Sequence, residues 1–505
     1  MVDSYWLQMR TTTNLRIFIC LLIALNILIP LCFLAIPPGL GPEGDALDYR
    51  LPLINWALKH HAYPFFDWTY VDDFPSLAEI AMALAKIVVP WGPRVIAALG
   101  YCGFVYATHR VATFLLPPLH ALLATALMAT ANVLTTQDNL IMVDNCASAF
   151  TLLGGYWLLR KRPVAAGIFT GLGLATRYTQ FPFFVATVLV LLFPVARDWL
   201  RKKNIPQTEC LDIVKFTGVA VLVVSPWLLR NFLHTGNPVY PLVTSLLGGH
   251  FFSEARRQEI FGMVATAAGF GTSPWAFLML PFRFAFYKNA FDYSVGPLPL
   301  IFLPWWIAGK KQQPASMLWL AWLAAWFFTS QNARFLLPPL ALLLCSSMAA
   351  AATLLEGESR FQRRARTAFL LLCLVMAAGG TAKHVMKHQP HPLLGSRNAD
   401  AIAWLNAHSG EGAVALIQRS SDAHLLTADW IFVYPHVYSN SRYDSRAFPS
   451  VEHLLRDMKA TARVAFLYVP SGALPSGLTP DAKSGLRWRL AFTGASGARI
   501  YRLVP

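Results

Sequence analysis

Through the first three quarters of the chain, long apolar runs alternate with short polar connections, and the alternation stops near Lys383. The first run, 17–36, follows Arg10 and Arg16, ends at Pro37-Pro38, and is about long enough to cross ~30 Å of hydrocarbon. It is longer than a signal-peptide core and lacks a small-x-small cleavage pattern. It therefore reads as an uncleaved anchor with its basic end in the cytoplasm. Further apolar runs cover 95–116, 119–134, 146–159, 164–175, 181–195, 213–229, 296–308, 317–329, 335–355 and 368–382. Together they predict about eleven membrane spans, several of them short unless tilted or extended by neighbours.

Between the first two runs lies an acidic and aromatic stretch. It holds Asp45 and Asp48, the segment Tyr63-Pro64-Phe65-Phe66-Asp67-Trp68-Thr69-Tyr70, and Asp72-Asp73 ahead of Phe74-Pro75. The amphipathic segment 76–89, flanked by Trp68, Tyr70 and Trp91, predicts a helix lying on the outer membrane face or dipping into it. Past Lys383 the pattern becomes that of a soluble domain. Helices are predicted at 399–406 and 451–458, and strands at 413–417, 464–469, 488–492 and 499–503. The fold class expected is thus an α-helical polytopic membrane protein with a small C-terminal α/β domain outside the cytoplasm. The membrane domain covers 1–382, including outer loops 37–94 and 230–295, and the soluble domain 383–505. No GxGxxG or P-loop pattern appears around 471–477, and no solenoid repeat is evident.

Composition agrees: the 505 residues are 55% hydrophobic and 13% charged, with a mean hydropathy of +0.45, more apolar than soluble packing requires. The formal charge of +16 would suit nucleic acid, but its lysines and arginines sit in short clusters between apolar runs. That distribution marks cytoplasmic loops and argues against nucleic acid as a partner. Counting from a cytoplasmic N-terminus, the even connections carry His109-Arg110, Arg160-Lys161-Arg162, Arg197 with Arg201-Lys202-Lys203, Lys310-Lys311, and Arg360 with Arg363-Arg364 and Arg366. The odd connections carry Asp45, Asp48, Asp72, Asp73, Asp138, Asp144, Arg177 and Arg334. The seven cysteines show no CxxC spacing, so neither a disulfide framework nor a thiolate metal site is implied.

The outward charges are the candidate chemistry, because a charge buried in a span costs ~2.5–3.5 kcal/mol or more unless it faces a polar cavity. Asp45 and Asp48 share a face if their segment is helical, so one can take a proton while the other tunes it or positions a substrate. The same spacing suits two solvated loop residues. Asp73 is a substrate-binding candidate whose position equally suits a turn or helix cap. Asp144, at the head of a span, serves as an N-terminal cap, a site residue or both. Arg177 and Arg334 are basic on the side where the orientation rule expects none. A phosphate suits their forked donors, and a structural pairing with an aspartate is the competing account. The stretch 225–241 reads as a rigid corner. His234 and His250 lack the HxxxH or HxH spacing of a metal site.

On these residues the chain resembles the GT-C superfamily of integral-membrane glycosyltransferases that use lipid-phosphate-linked sugars, of the protein mannosyltransferase and aminoarabinose transferase type. The resemblance is carried by Asp45 and Tyr49 at D-x-x-x-Y spacing, the segment after Pro75, Val143-Asp144 before a span, Gly171 to Arg177, the Trp227 to Pro241 corner and Arg334-Phe335-Leu336-Leu337-Pro338. It covers roughly the membrane region. It implies that Asp45 or Asp48 acts as catalytic base or positions the acceptor. Tyr49, Asp73, Asp144, Arg177 and Arg334 would then bind substrate. It further implies a polyprenyl-phosphate-sugar donor, a lipid, glycan or protein acceptor, inversion at the anomeric carbon, and a bacterial inner (plasma) membrane location. No cofactor is assigned, and a divalent metal is left open. Two departures stand out: position 177 is Arg where many relatives carry Lys, and Asp45 and Asp48 replace an adjacent Asp-Glu pair. The competing classes are a transporter or flippase of lipid-linked sugars, expected to carry mid-span ionisable groups and inverted repeats, and a noncatalytic scaffold.

Overall fold

The computed structural model describes residues 2–32, 34, 50–63, 74–138, 140–202, 207–240, 242–248, 269–287, 290–291, 294–309, 313–357, 359–387, 398–408, 413–416, 429–432, 465–469 and 487–504. Its first ten helices are α1 (Val2–Cys32), α2 (Leu51–His60), α3 (Leu77–Val88), α4 (Gly92–Leu115), α5 (Pro118–Ala129), the single turn α6 (Asn132–Thr135), α7 (Asp144–Leu159), α8 (Pro163–Thr176), α9 (Phe181–Lys202) and α10 (Gln207–Thr235). Later membrane helices are Leu298–Ala308, Gln313–Phe328, Leu337–Leu354 and Arg360–Lys387. Each apolar run expected from the sequence overlaps one of these helices, except that 119–134 is divided between α5 and the single turn α6. Among the described residues six helices are long and apolar enough to cross a membrane: Thr13–Cys32, Gly92–Leu115, Tyr178–Arg201, Gln207–Thr235, Leu337–Leu354 and Arg360–Lys387. The remaining five, α5, α7, α8, Leu298–Ala308 and Gln313–Phe328, have 11 to 16 residues.

The distribution of apolar surface is that of a protein solvated by lipid. Along α9 and α10, Leu189, Phe193, Leu222, Leu229 and Leu233 are exposed, while Phe216, Ala220 and Val224 pack inward. The Leu337–Leu354 helix is buried along nearly its whole length and forms the centre of the bundle. Against it lies Gln313–Phe328, whose Trp319, Trp322 and Trp326, at helical spacing, are each no more than 2% exposed.

Helix α8 is threaded closely between α7 and α10. A Cβ on Gly167 would stand 2.6 Å from the Phe216 carbonyl, and one on Gly171 2.7 Å from the Ala220 carbonyl. Small residues four apart are what allow two membrane helices to approach backbone to backbone. This contact sets where α8 ends, and so where Arg177 stands.

The amphipathic segment 76–89 forms α3. Ala78, Glu79, Met82 and Ala83 face the protein, whereas Leu84, Ile87 and Val88 are exposed. Helix α2, with Pro52 in its first turn, was not anticipated. It ends at His61 in the left-handed region, φ 53°.

After Lys387 the described C-terminal elements are the helix Ala399–His408 and strands β1 (Ala413–Leu416), β2 (Asp429–Phe432), β3 (Ala465–Val469), β4 (Arg487–Thr493) and β5 (Arg499–Val504). They form one sheet in the order β2-β1-β3-β5-β4, parallel from β2 to β3 and antiparallel from β3 to β4. Trp404 of the helix packs on Phe466 and Phe492, an α/β layer pair of the kind expected. Strand β2 was missed, and the helix expected at 451–458 lies outside the described residues. Asp400 accepts hydrogen bonds from the amides of Ala401 and Ala495, at 2.8 and 2.6 Å, which hold its carboxyl below the ordinary value of 3.8.

Candidate functional site

Where α3, α7 and α8 meet, a small cleft is lined by Arg50, Phe74, Pro75, Glu79, Val143, Thr176 and Arg177, three of them charged. Asp144 opens α7 directly behind Val143. It is 1% exposed, and its Oδ1 stands 3.2 Å from Nη1 of Arg177. Neither carboxylate oxygen accepts a hydrogen bond from a described residue. The capping role open to Asp144 is therefore not taken up. The carboxylate faces a guanidinium instead, while its place in the first helical turn still favours negative charge.

Arg177 terminates α8. Its extended backbone, φ −163° and ψ 134°, leaves the helix while its amide still donates to the Gly173 carbonyl at 3.0 Å. The turn after it is fixed from two sides. Thr151 donates its hydroxyl to Oε1 of Gln180 at 2.8 Å. Asn231 donates to the Tyr178 hydroxyl at 3.1 Å and to the Tyr240 carbonyl at 3.0 Å. The corner after α10 is thus the structural buttress its sequence suggested. Arg230 lies over the rings of Trp227 and Tyr63, at 4.9 and 5.5 Å, and joins the corner to the residues just after α2.

Arg334 sits in a single 3-10 turn, Ala333–Phe335. The Asn332 side chain accepts from the Arg334 amide at 3.1 Å, and the Asn332 carbonyl accepts from Trp326 Nε1 at 2.8 Å. The guanidiniums of Arg177 and Arg334 lie 5.5 and 5.2 Å from the centre of the same Phe335 ring. One phenyl group therefore gathers two cations from distant parts of the chain. The next residue in the chain, Leu336, belongs to the lining of a separate apolar groove. One wall is Leu336, Pro339, Leu340 and Leu343 along the central helix, and Phe284 and Trp319 stand on other sides.

Two members of the cleft were passed over in the sequence. Glu79 forms an ion pair with Arg50, and both are buried. Burial pushes the Glu79 carboxyl above its ordinary 4.5 despite Arg50 beside it; Arg177 pulls the value down and Asp144 raises it. The signal was present: Glu79 shares the spacing of Met82 and Ala83, a carboxylate on the apolar face of an amphipathic helix. Asp138, grouped with the outward charges, does not enter the cleft and is buried against His384. Asp45, Asp48, Tyr49, Asp73 and His250 lie outside the described residues. Among the described residues no three His, Cys, Asp or Glu side chains gather as a metal site.

No protein-family profile matches this sequence, and no curated protein matches it. Solved structures do. ArnT from Cupriavidus metallidurans bound to undecaprenyl phosphate superposes over 96% of this chain and 98% of its own, with a TM-score of 0.58 and 12% identity. The Archaeoglobus fulgidus oligosaccharyltransferase in the apo form matches over 89% of this chain and 69% of its own, with a TM-score of 0.52 and 12% identity. The mycobacterial arabinofuranosyltransferase AftD matches over 96% of this chain at a TM-score of 0.51 and 14% identity, and this chain spans 40% of its length. All are GT-C glycosyltransferases. With its apolar helices and superpositions covering 89 to 96% of it, the chain is an integral membrane protein of the GT-C fold.

Proposed function

We propose that this protein is an inverting glycosyltransferase that moves a sugar from a polyprenyl-phosphate donor to an acceptor on the extracytoplasmic face of a bacterial inner membrane. The observation that carries the reading is the junction at Phe335. Two guanidiniums lie against its ring, and the next residue, Leu336, lines an apolar groove. A ligand suited to that junction is an anion attached to a long apolar chain, the chemistry of a lipid phosphate. The undecaprenyl phosphate named with the Cupriavidus structure supports the same choice. The domains assigned are 1–382 for catalysis and 383–505 for the outer face, with the N-terminus cytoplasmic.

In this reading the acceptor hydroxyl or amine attacks the anomeric carbon as the bond from that carbon to the phosphate oxygen breaks. Asp45 or Asp48 takes the acceptor proton, a contribution of about 10²–10⁴-fold in rate. The departing polyprenyl phosphate keeps the bonding pair, and its growing charge meets Arg177 and Arg334. Asp144 holds Arg177 in place. Glu79, whose burial favours the protonated form, stands at the same cleft as a further proton-carrying group.

The test is to offer purified protein a panel of polyprenyl-phosphate sugars and follow which is consumed. Asp45→Asn and Asp48→Asn are assayed beside it, and one of them is expected to abolish transfer at normal expression. Consumption of no member of the panel, or full transfer by both variants, sinks the reading.

A further inference from the structure

We infer that a buried chain of polar side chains, Asn26–His384–Asp138, fixes the segment leading to Asp144, which makes His384 and Asp138 positioning residues for the outer cleft. The inference rests on reading that cleft as the lipid-phosphate site. Its parts come from separate stretches: Asn26 from α1, His384 from the helix Arg360–Lys387, and Asp138 from the turn between α6 and α7. All three are no more than 1% exposed.

The direction of each hydrogen bond follows from the far end. Thr381 donates its hydroxyl to the Ala377 carbonyl at 2.9 Å, so it accepts from Nδ2 of Asn26 at 2.7 Å. The same nitrogen donates to the Leu22 carbonyl at 2.8 Å. This orients the carboxamide oxygen toward His384, whose Nδ1–H donates to it at 2.7 Å. With Nδ1 committed, Nε2 meets a carboxylate oxygen of Asp138 with one proton between them. Each group thus sets the orientation of the next. The alternative to any of these contacts is a polar group without a partner in an apolar interior.

The same helix grips the preceding stretch at two more points. Lys387 donates to the Thr135 carbonyl at 2.9 Å. Gly380 lies so close to Thr130 that a Cβ there would stand 2.6 Å from the Thr130 Cβ. Gly380, His384 and Lys387 fall on one helical face and hold residues 130 to 138 along their length. From Asp138 only a short turn leads to Asp144, through Ile141, Met142 and Val143, all buried. The place of the Asp144 carboxylate against Arg177 therefore depends on where this anchor holds the turn.

The test uses the full-length protein in detergent, with undecaprenyl phosphate as probe and amide hydrogen exchange as a readout independent of the proposed activity. His384→Ala is expected to speed exchange in 136–147 roughly tenfold while the central helix Leu337–Leu354 is unchanged. It should also weaken binding of the probe roughly tenfold. His384→Gln, which restores an N–H toward Asp138, is expected to recover most of both. Wild-type exchange in 136–147 of His384→Ala, or a rise spread evenly over every helix, overturns the positioning role. If that variant is not recovered folded, Asp138→Asn is measured in its place, with the same expected and overturning results. Wild-type protein that fails to bind the probe refutes the lipid-phosphate reading instead, and the exchange measurement alone then decides the positioning role.

Discussion

Asp138 and Asp144 stand at the two ends of one short turn, both almost wholly buried, and each faces a basic side chain. Their surroundings differ. Asp138 ends a relay in which His384, Asn26 and Thr381 each have a matched donor or acceptor. Around Asp144 the account does not close: both of its oxygens, Oε2 of Glu79, the Asn145 amide and the Ser148 hydroxyl are buried without a hydrogen bond among the described residues. A buried polar group left unsatisfied costs about 1–3 kcal/mol, so a bundle shaped only for stability would pair them. The contrast separates a cluster matched group by group within the fold from one beside the cleft that is held by ion pairs. Satisfied polar networks rigidify; unsatisfied ones beside a cleft are where a ligand's own donors and acceptors complete the set.

The sharpest way to break this contrast is Arg177→Ala. It leaves Asp144 buried without a cation and is expected to cost about 3–5 kcal/mol in unfolding of the detergent-solubilised protein. Asp144→Asn combined with Arg177→Gln removes both charges and should bring stability to within about 1 kcal/mol of the wild type, while undecaprenyl phosphate binding stays lost. Binding that returned with stability would show the pair to be structural. Next in size, Asn26→Leu removes the side chain that links His384 to Thr381 and is expected to cost about 1–3 kcal/mol. A loss below about 0.5 kcal/mol would mean the relay is not the satisfied network described.

The smallest effect concerns pH. Burial makes folded Glu79 hold its proton more tightly than the unfolded chain does, against the pull of Arg50. Its contribution to stability is therefore fully present below pH 4.5 and lost as the pH rises from there through the raised value. Glu79→Gln keeps the volume without the titration, so unfolding midpoints measured across that window should vary less with pH than in the wild type. An identical pH dependence would show that Glu79 is not desolvated in solution.

Much of the fold was legible because its signals are local. Apolar length marked the helices, and the amphipathic pattern after Pro75 marked α3. Alternation and turn residues marked β1, β3, β4 and β5. What escaped was short or atypical: α2, which carries Pro52 in its first turn, and β2, a four-residue strand. Of the candidate site, Asp144 was singled out as a carboxylate at the head of a span, and Arg177 and Arg334 as basic residues where the orientation rule expects none. Glu79 was passed over although it shares the spacing of Met82 and Ala83 on α3, and Asp138 was placed among the outward charges because nothing nearby in sequence announces His384.

By itself, then, the sequence determined that this chain is an apolar-helix membrane protein, roughly where its apolar helices lie, and that a small α/β unit follows. Those are consequences of how much apolar surface each stretch carries, a property that needs no knowledge of neighbours. Only the tertiary structure decided which charges meet. That Arg177 and Arg334 share the Phe335 ring, that Glu79 turns inward to Arg50, and that Asp138 is tied to the last membrane helix all depend on helices packed from distant parts of the chain. The energy of a buried charge is set by what surrounds it in space.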